Sequence, residues 1–317
     1  MSSMSRRQFI PAAAFGAPLG LAQAARAADY PSRPVSFIIP YGPGGTHDAY
    51  GREFATLLRS RLGNAVVAPI NMPGAAGKQA IFQLLQAPPD GYSISLVAVP
   101  GILMTKSSGP IDIRKLTWLA NVGRDTYGLA VGKNSNIHSI ADLKALSAKR
   151  PIVFSTTGVG STDYFAVKVF SALLGIRVRM VSGYADSPNS VIAVTRGDVD
   201  AVVHSLTTLK QMQASGLART LFVFQDKGGM PGVEDASSVG KPDLGQIFQW
   251  RPVVAPPGLS ADLTARLSKA LVSSANTAEA KAWAAKLDTT LYPLDAGQTL
   301  KMVEQQSALV AKWNSVL

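Results

Sequence analysis

The chain has 317 residues, of which 47% are hydrophobic and 16% charged, so it has enough apolar material for two domains and is not intrinsically disordered. Its 31 Lys and Arg against 20 Asp and Glu give a net charge of +11. Cysteine is absent, which excludes disulfides, thiolate metal sites and a cysteine nucleophile. With only 3 histidines, the sequence predicts neither a metal nor a cofactor.

Residues 1–27 have the pattern of an export signal. Residues 5–10, with Arg6 next to Arg7, match the twin-arginine motif of bacterial Tat signals. An apolar stretch over 9–22 and the tripeptide Ala25-Arg26-Ala27 predict cleavage before Ala28. An ordinary Sec signal is the alternative, whereas a lipid anchor would need a cysteine. Cleavage removes three of the 31 basic residues and no acidic residue, which leaves 28 basic and 20 acidic residues.

The basic residues are scattered, with no run of five or six. In an exported protein with only 7% aromatic residues, this pattern argues against nucleic-acid binding. A solvated surface and the electrostatic attraction of anionic solutes are the two remaining interpretations.

Strand and helix patterns alternate along the first part of the chain after the signal. A glycine-rich loop, 42–45, follows the first predicted strand, and another, 73–77, follows the second. This βαβαβ order predicts a parallel sheet with crossover helices. The predicted strands are 35–39, 65–68 and 92–99, and the predicted helices are 48–62 and 79–85.

The same pattern begins again at residue 152, with a Gly/Thr/Ser loop, 156–162, after its first strand. From Ser260 onward the chain reads as mostly helical, and Asp295 with Gln298 predicts a capping box at the last helix. The strands predicted in this second unit are 152–155, 178–181 and 201–203, and the helices are 164–174 and 190–196.

The glycine-rich loops are the candidate binding elements. A loop between a strand and a helix presents free N–H groups at the positive end of the helix dipole, which suits an anion. A dinucleotide fingerprint does not fit, because His47 stands at the third glycine position and Asn71 where an acid is needed. Several such loops at the carboxyl ends of parallel strands predict one shared cleft.

Catalytic motifs are weak. The chain lacks a G-x-S-x-G elbow, and no His–Asp pair has recognisable spacing to the serines of 155–162. His204 reads either as a base or as a neutral buried or ligand-facing side chain, and His47 either as a donor to an anion or as a surface residue. His138 lies in a polar stretch and is predicted to be exposed. Asp48 reads as a helix cap or turn closure as readily as a site residue.

These motifs, taken in order, resemble the Bug family of periplasmic solute receptors of tripartite tricarboxylate transporters. The resemblance spans nearly the whole chain after the signal. The matching segments are 30–35, 38–45 with Asp48, 71–77, 89–92 (Pro-Asp-Gly-Tyr), 155–161, 196–200, and Trp250 with 255–258.

The resemblance implies an α/β, two-domain Venus-flytrap periplasmic binding protein, each domain a mostly parallel sheet flanked by helices. It implies that the protein is a monomer, binds a small carboxylate without a cofactor, and delivers it to the membrane subunits of a transporter. Domain one would comprise 28–126 and 252–317, and domain two 127–251. The ligand-binding residues expected are Gly44, Gly45, Thr46, Asp48, Gly74, Ala75, Ala76, Ser155, Thr157, Ser161, Thr162, Tyr184, Asp186 and His204.

The chain departs from the family pattern at 181–185, at His204 and at Trp250-Arg251-Pro252. An extra Arg and His near the cleft would favour a second anionic group on the ligand, or Arg251 would be an exposed cation at the hinge. Two other functions stay open. A periplasmic sensor would use the same binding step, and a hydrolase could use a similar α/β scaffold.

Overall fold

The computed structural model describes residues 30–104 and 112–317. The predicted export signal, 1–27, lies outside the described residues. Within the described ranges, no helix combines the length and the apolarity that a bilayer crossing requires.

Strands and helices alternate through most of the described chain. The strands are β1 (Val35–Ile39), β2 (Val67–Asn71), β3 (Ser93–Leu96), β4 (Thr117–Gly132), β5 (Ile152–Thr156), β6 (Val178–Ser182), β7 (Ala201–Ser205), β8 (Ala218–Val223), β9 (Glu234–Asp235), β10 (Phe248–Ala255) and β11 (Leu291–Leu294). The helices are α1 (Thr46–Arg61), α2 (Lys78–Leu85), α3 (Ile140–Lys149), α4 (Thr162–Leu174), α5 (Ser187–Arg196), α6 (Leu206–Ala214), α7 (Ala261–Ala275), α8 (Ala278–Leu287) and α9 (Ala296–Lys312).

Eight of the strands given above form one path, β2-β1-β3-β10-β4-β7-β5-β6, while β8 and β11 pair with β4 off this path and β9 pairs with β8. At each end of this path lie three strands, and within each set the pairing is parallel: β2-β1-β3 and β7-β5-β6. The 16-residue strand β4 links the two halves, because it pairs antiparallel with β10 and β11 in one and with β7 and β8 in the other.

Each half of the sheet has its own hydrophobic core. The first core contains Phe37, Tyr50 and Phe54 together with apolar side chains of α7. The second packs the helices α3 and α4 against β5 and β7, and it also contains Leu309 and Val310 near the end of α9. The last helix of the chain therefore contributes side chains to the core of the second half.

Local capping sets the start of the helices that face the sheet. Ser161 accepts a hydrogen bond from the N–H of Tyr164 at the start of α4, and Asp186 accepts one from the N–H of Asn189 at the start of α5. The capping box of Asp295 and Gln298 at α9 is present as predicted. These caps satisfy N–H groups that have no partner within the helix.

The predicted βαβαβ units are confirmed, with shifts at some element ends. The second strand begins at Val67 rather than at residue 65, because Asn64 takes a left-handed turn and the N–H of Ala65 bonds to Leu62. The third strand ends at Leu96, after which Val97 donates to the carbonyl of Pro252 in β10. The strands β4 and β10 were not predicted.

Candidate functional site

A cavity of about 580 Å³ lies between loops from the two halves of the sheet. The first half contributes the loops after β1 and β2, and the second half contributes the loops after β5 and β6. These are carboxyl ends of parallel strands, where ligands bind in open α/β sheets. The lining residues are Tyr41, Pro73, Gly74, Ala75, Ala76, Lys78, Thr157, Gly158, Val159, Ser182, Gly183, Tyr184 and Ala185.

Lys78 is the one charged side chain lining this cavity in the described part of the chain. Its ammonium group has no hydrogen bond or ion pair with any described residue. Lys78 opens α2, where the positive end of the helix dipole disfavours a cation. The cavity is therefore electropositive and suits an anion.

The loop that leads into α2 has an unusual backbone. Gly74, Ala75, Ala76 and Gly77 all have positive φ, at 145°, 48°, 57° and 87°. For alanine this conformation costs about 1–2 kcal/mol per residue. Such strain concentrates at ligand-binding and catalytic sites, and here it occurs in a loop that lines the cavity.

A second, much smaller cavity of about 20 Å³ adjoins the first, because Tyr41 and Thr157 line both. It lies between the start of α1 and the start of α5. Its lining residues are Tyr41, Gly45, Thr46, His47, Tyr127, Thr157, Asp163, Asp186, Ser187, His204 and Gln249.

Asp163 organises one wall of the small cavity. It accepts hydrogen bonds from the N–H and the hydroxyl of Thr157, at 2.7 and 2.8 Å. Its Oδ2 lies 3.9 Å from Nε2 of His204. The carboxylate thus stands between the hydroxyl and the imidazole. In a nucleophilic triad the imidazole stands in the middle, so this set is not arranged to activate the Thr157 hydroxyl.

Arg251 lies behind the opposite wall and is fully buried. It forms an ion pair with Asp125, and its guanidinium carbon lies 4.8 Å from the centre of the Tyr50 ring. Its Nη1 donates to Nδ1 of His47 at 2.9 Å. The interpretation of Arg251 as an exposed hinge cation is therefore wrong, because the side chain packs in the interior and Asp125 balances its charge.

The surroundings of both cavity histidines disfavour the charged form of the imidazole. Burial lowers the pKa of His47, and the nearby charge of Arg251 lowers it further. Burial also lowers the pKa of His204, although Asp163 and Asp186 oppose that shift. His47 as a whole is partly exposed, but its Nε2 atom is buried. His138 is exposed, as predicted.

The structure brings nine of the expected binding residues to the two cavities. The larger cavity is lined by Gly74, Ala75, Ala76, Thr157 and Tyr184, and the smaller by Gly45, Thr46, Asp186 and His204 together with Thr157.

The other five expected residues line neither cavity and have partners elsewhere among the described residues. The carboxylate of Asp48 accepts from the N–H of Gly44 at 3.0 Å, which is the turn closure considered above. Ser155 donates to the carbonyl of Ser190, and Ser161 caps α4. Thr162 accepts from the N–H of Gly101 at 3.1 Å.

Sequence reasoning missed several lining residues. Lys78 could have been found, because a cation directly after a glycine-rich loop opens a helix towards the predicted cleft. Tyr127 and Gln249, which share a hydrogen bond of 2.9 Å, gave no signal. They meet only through the pairing of β4 with β10. Among residues 30–104 and 112–317, no group of three or more potential ligands is placed to hold a metal ion.

The fold is that of the two-domain periplasmic binding proteins of Venus-flytrap type, as predicted. The solved structure of periplasmic binding protein BugD superposes with a TM-score of 0.81 at 22% identity, covering 90% of this chain and 99% of that one. MatC from Rhodopseudomonas palustris, solved with bound malate, gives a TM-score of 0.80 at 18% identity, with 90% and 99% covered.

The sequence comparisons define the family. Protein BugT of Bordetella pertussis is 25% identical over 272 residues, which are 80% of each chain. The model of the tripartite tricarboxylate transporter family receptor, TctC, matches residues 51–316. The chain therefore belongs to the TctC family, a family of solute-binding receptors, and the predicted resemblance is confirmed.

Proposed function

We propose that this protein is a periplasmic receptor that binds a small organic carboxylate in the larger cavity and delivers it to the membrane subunits of a tripartite transporter. The electropositive cavity between the two halves carries the proposal. Lys78 is its one charged lining residue in the described chain, and no acid lines it there. Tyr41, Tyr184 and Val159 supply apolar surface for the body of the ligand.

Binding would close two domains around the ligand by a hinge motion. Domain one would comprise 28–126 and 252–317, domain two 127–251, and the hinge would lie in β4 and β10. The separate hydrophobic cores of the two halves support this division, and two hydrogen bonds join the halves across the cleft. The N–H of Gly42 donates to the carbonyl of Ala185, and the N–H of Gly101 donates to Thr162, both at 3.1 Å. The end of α9 belongs to domain one in this division, but it would pack against the core of domain two through Leu309 and Val310.

The loops would hold the carboxylate through backbone N–H groups and ordered water, as the family resemblance implies. Gly74, Ala75 and Ala76 would hold it from the second loop, and Gly45 and Thr46 would reach the ligand from the small cavity. Gly44 would support the first loop, because its N–H donates to Asp48. Thr157, Tyr184, Asp186 and His204 would contact the ligand from domain two. Asp48, Ser155, Ser161 and Thr162 would act less directly, because their hydrogen bonds fix the loops that carry these contacts.

The arrangement favours binding over turnover. A hydrolase would need an activated nucleophile, and the carboxylate of Asp163 separates the Thr157 hydroxyl from His204. A sensor would share the binding step, and it would differ only in the partner that recognises the closed form. We propose a monomer without a cofactor, exported by the signal in residues 1–27.

Thermal denaturation against a panel of carboxylic acids tests the proposal. A ligand at 100 times its dissociation constant stabilises the folded state by about 2.7 kcal/mol. For a protein of this size the midpoint should rise by about 2–6 °C. Chloride and phosphate serve as controls for salt effects, and product analysis checks that the acid is not consumed. A panel without any shift, or turnover of the acid, would contradict the proposal.

A further inference from the structure

Two departures of this chain from the family pattern, His204 and Arg251, lie close to His47 around the small cavity. His47 lies in the first turn of α1, His204 near the end of β7 and Arg251 in β10, yet all three lie at or directly behind the small cavity. His47 and Arg251 are 204 residues apart in the chain. The proposed carboxylate site in the larger cavity does not account for this cluster.

Arg251 fixes the position of the proton on His47. A guanidinium has donors only, so Nδ1 of His47 must be the acceptor of the 2.9 Å hydrogen bond from Nη1. The neutral ring then carries its proton on Nε2. That Nε2 is buried and has no hydrogen-bond partner. The small cavity therefore has an obligatory N–H donor without an acceptor.

The facing wall offers acceptors. Nε2 of His204 is also buried without a partner, and its 3.9 Å separation from Asp163 is too long for a hydrogen bond. Asp163 and Asp186 add two carboxylates, which accept from Thr157 and Asn189. The small cavity of about 20 Å³ has room for about one water-sized group.

We infer that the small cavity is a subsite for a hydroxyl group, so that the ligand is a hydroxy-substituted carboxylic acid. A hydroxyl accepts from Nε2–H of His47 and donates to an acceptor of the facing wall, where the carboxylates of Asp163 and Asp186 and the ring of His204 lie, and it is one atom in size. A second carboxylate would face the like charges of Asp163 and Asp186. An ammonium group would leave the His47 donor unmatched. The inference rests on the proposed function, because it places the carboxylate of the same ligand in the larger cavity.

Calorimetric titration with matched acids tests the subsite. Each of three series pairs a hydroxy acid with its deoxy and amino counterparts, in that order. The series are malate, succinate and aspartate; lactate, propionate and alanine; and mandelate, phenylacetate and phenylglycine. In the series that binds, the hydroxy acid should bind at least about 10-fold more tightly than its deoxy and amino counterparts, because only the hydroxyl satisfies the buried donor. If the deoxy acid binds as tightly as the hydroxy acid, the small cavity is not a hydroxyl subsite and holds an ordered water instead. If no acid binds, the proposed function fails, and the inference fails with it.

Nitrogen NMR of ¹⁵N-histidine protein provides a measurement without any substitution. Only three histidines contribute signals, and exposed His138 is the internal reference. We expect His47 to carry its proton on Nε2. The hydroxy acid should shift Nε2 of His47 and His204 and leave His138 unchanged. A bound hydroxy acid that moves neither cavity histidine would overturn the inference.

Variants at His47 complete the test. His47→Leu should bind the hydroxy and deoxy acids equally, since the donor is gone, whereas His47→Gln keeps an N–H donor and should retain part of the preference. His138→Ala is the matched control and should keep the full preference. Thermal melts identify any variant that fails to fold. A folded His47→Leu protein with the preference intact would overturn the inference.

Discussion

Arg251 and Asp125 form the most deeply buried ion pair of the described chain, with side chains 0% and 2% exposed. Asp125 also accepts hydrogen bonds from the hydroxyls of Ser205 and Thr289, at 3.0 and 2.8 Å. Arg251 in turn donates to His47 and lies over Tyr50. One carboxylate thus balances the charge of an arginine that orients a binding-site histidine.

Removal of Asp125 should destabilise the protein strongly. The variant Asp125→Ala leaves the guanidinium buried without a counter-charge, which costs about 3–5 kcal/mol. Urea denaturation measures the change in the free energy of unfolding. Arg114→Ala is the control, because it breaks the exposed pair with Asp112 and should change little. A loss no larger than that of the control would contradict the buried ion pair.

Single residues were predictable where their partners are close in sequence. Asp295 and Gln298 are three positions apart, and their capping box follows from local geometry alone. The role of Arg251 was not predictable, because its partners Asp125 and His47 are 126 and 204 positions away. The sequence around an arginine does not indicate which distant carboxylate will pair with it in the folded protein.

At the level of elements, two segments from opposite halves touch through a glycine. Gly101 begins a short 3₁₀ turn, Gly101–Met104, that packs against the start of α4. A Cβ atom at Gly101 would lie 2.3 Å from the backbone of Ser161 and of Thr162. The Gly101 N–H also donates to the Thr162 hydroxyl at 3.1 Å, so the two segments are in direct contact here.

The variant Gly101→Ala should force these segments apart. Backbone atoms cannot move aside as a flexible side chain can, so we expect a lower melting temperature and weaker binding of the carboxylate. Differential scanning calorimetry and titration measure the two effects. Gly297→Ala is the matched control, because its new Cβ would lie 3.6 Å from its nearest neighbour, at ordinary contact distance. Unchanged melting and binding in Gly101→Ala would contradict this packing.

Elements with a strong local period were predicted well, and elements defined by distant pairing were not. The strand 35–39 and the helix ending at Leu174 agree with the structure because their apolar spacing is local. The strand β4 contains Asn121, Gly123 and Arg124, which mask its pattern, and Pro252 interrupts β10. Both strands are stabilised by pairing with each other.

At the level of the whole molecule, the two halves meet over the cavity through the loop after β1 and the loop after β6. The N–H of Gly42 donates to the carbonyl of Ala185. A Cβ at Gly42 would lie 3.6 Å from the Cβ of Ala185, which is within the range of a disulfide. The chain has no native cysteine that could interfere.

The double variant Gly42→Cys/Ala185→Cys should lock the cleft shut when oxidised. We expect the rate of ligand association to fall at least about 10-fold and to recover on reduction, since entry to an enclosed site requires opening. Stopped-flow binding with an acid from the panel measures the rate. Gly42→Cys alone is the control, because the new side chain would displace the nearby carboxylate of Asp186. Equal rates in both redox states would contradict a closing cleft.

The end of α9 has a consequence for the order in which the chain folds as it is synthesised. The first core needs Val253 and Leu271, and the second needs Leu309 and Val310. A ribosome releases these residues last, so neither core can be completed while the first two hundred residues emerge. Domains usually fold one after the other from the N-terminus. In this protein the first core can be completed only after Ala275 has emerged, and the second only after Leu309 and Val310 have emerged.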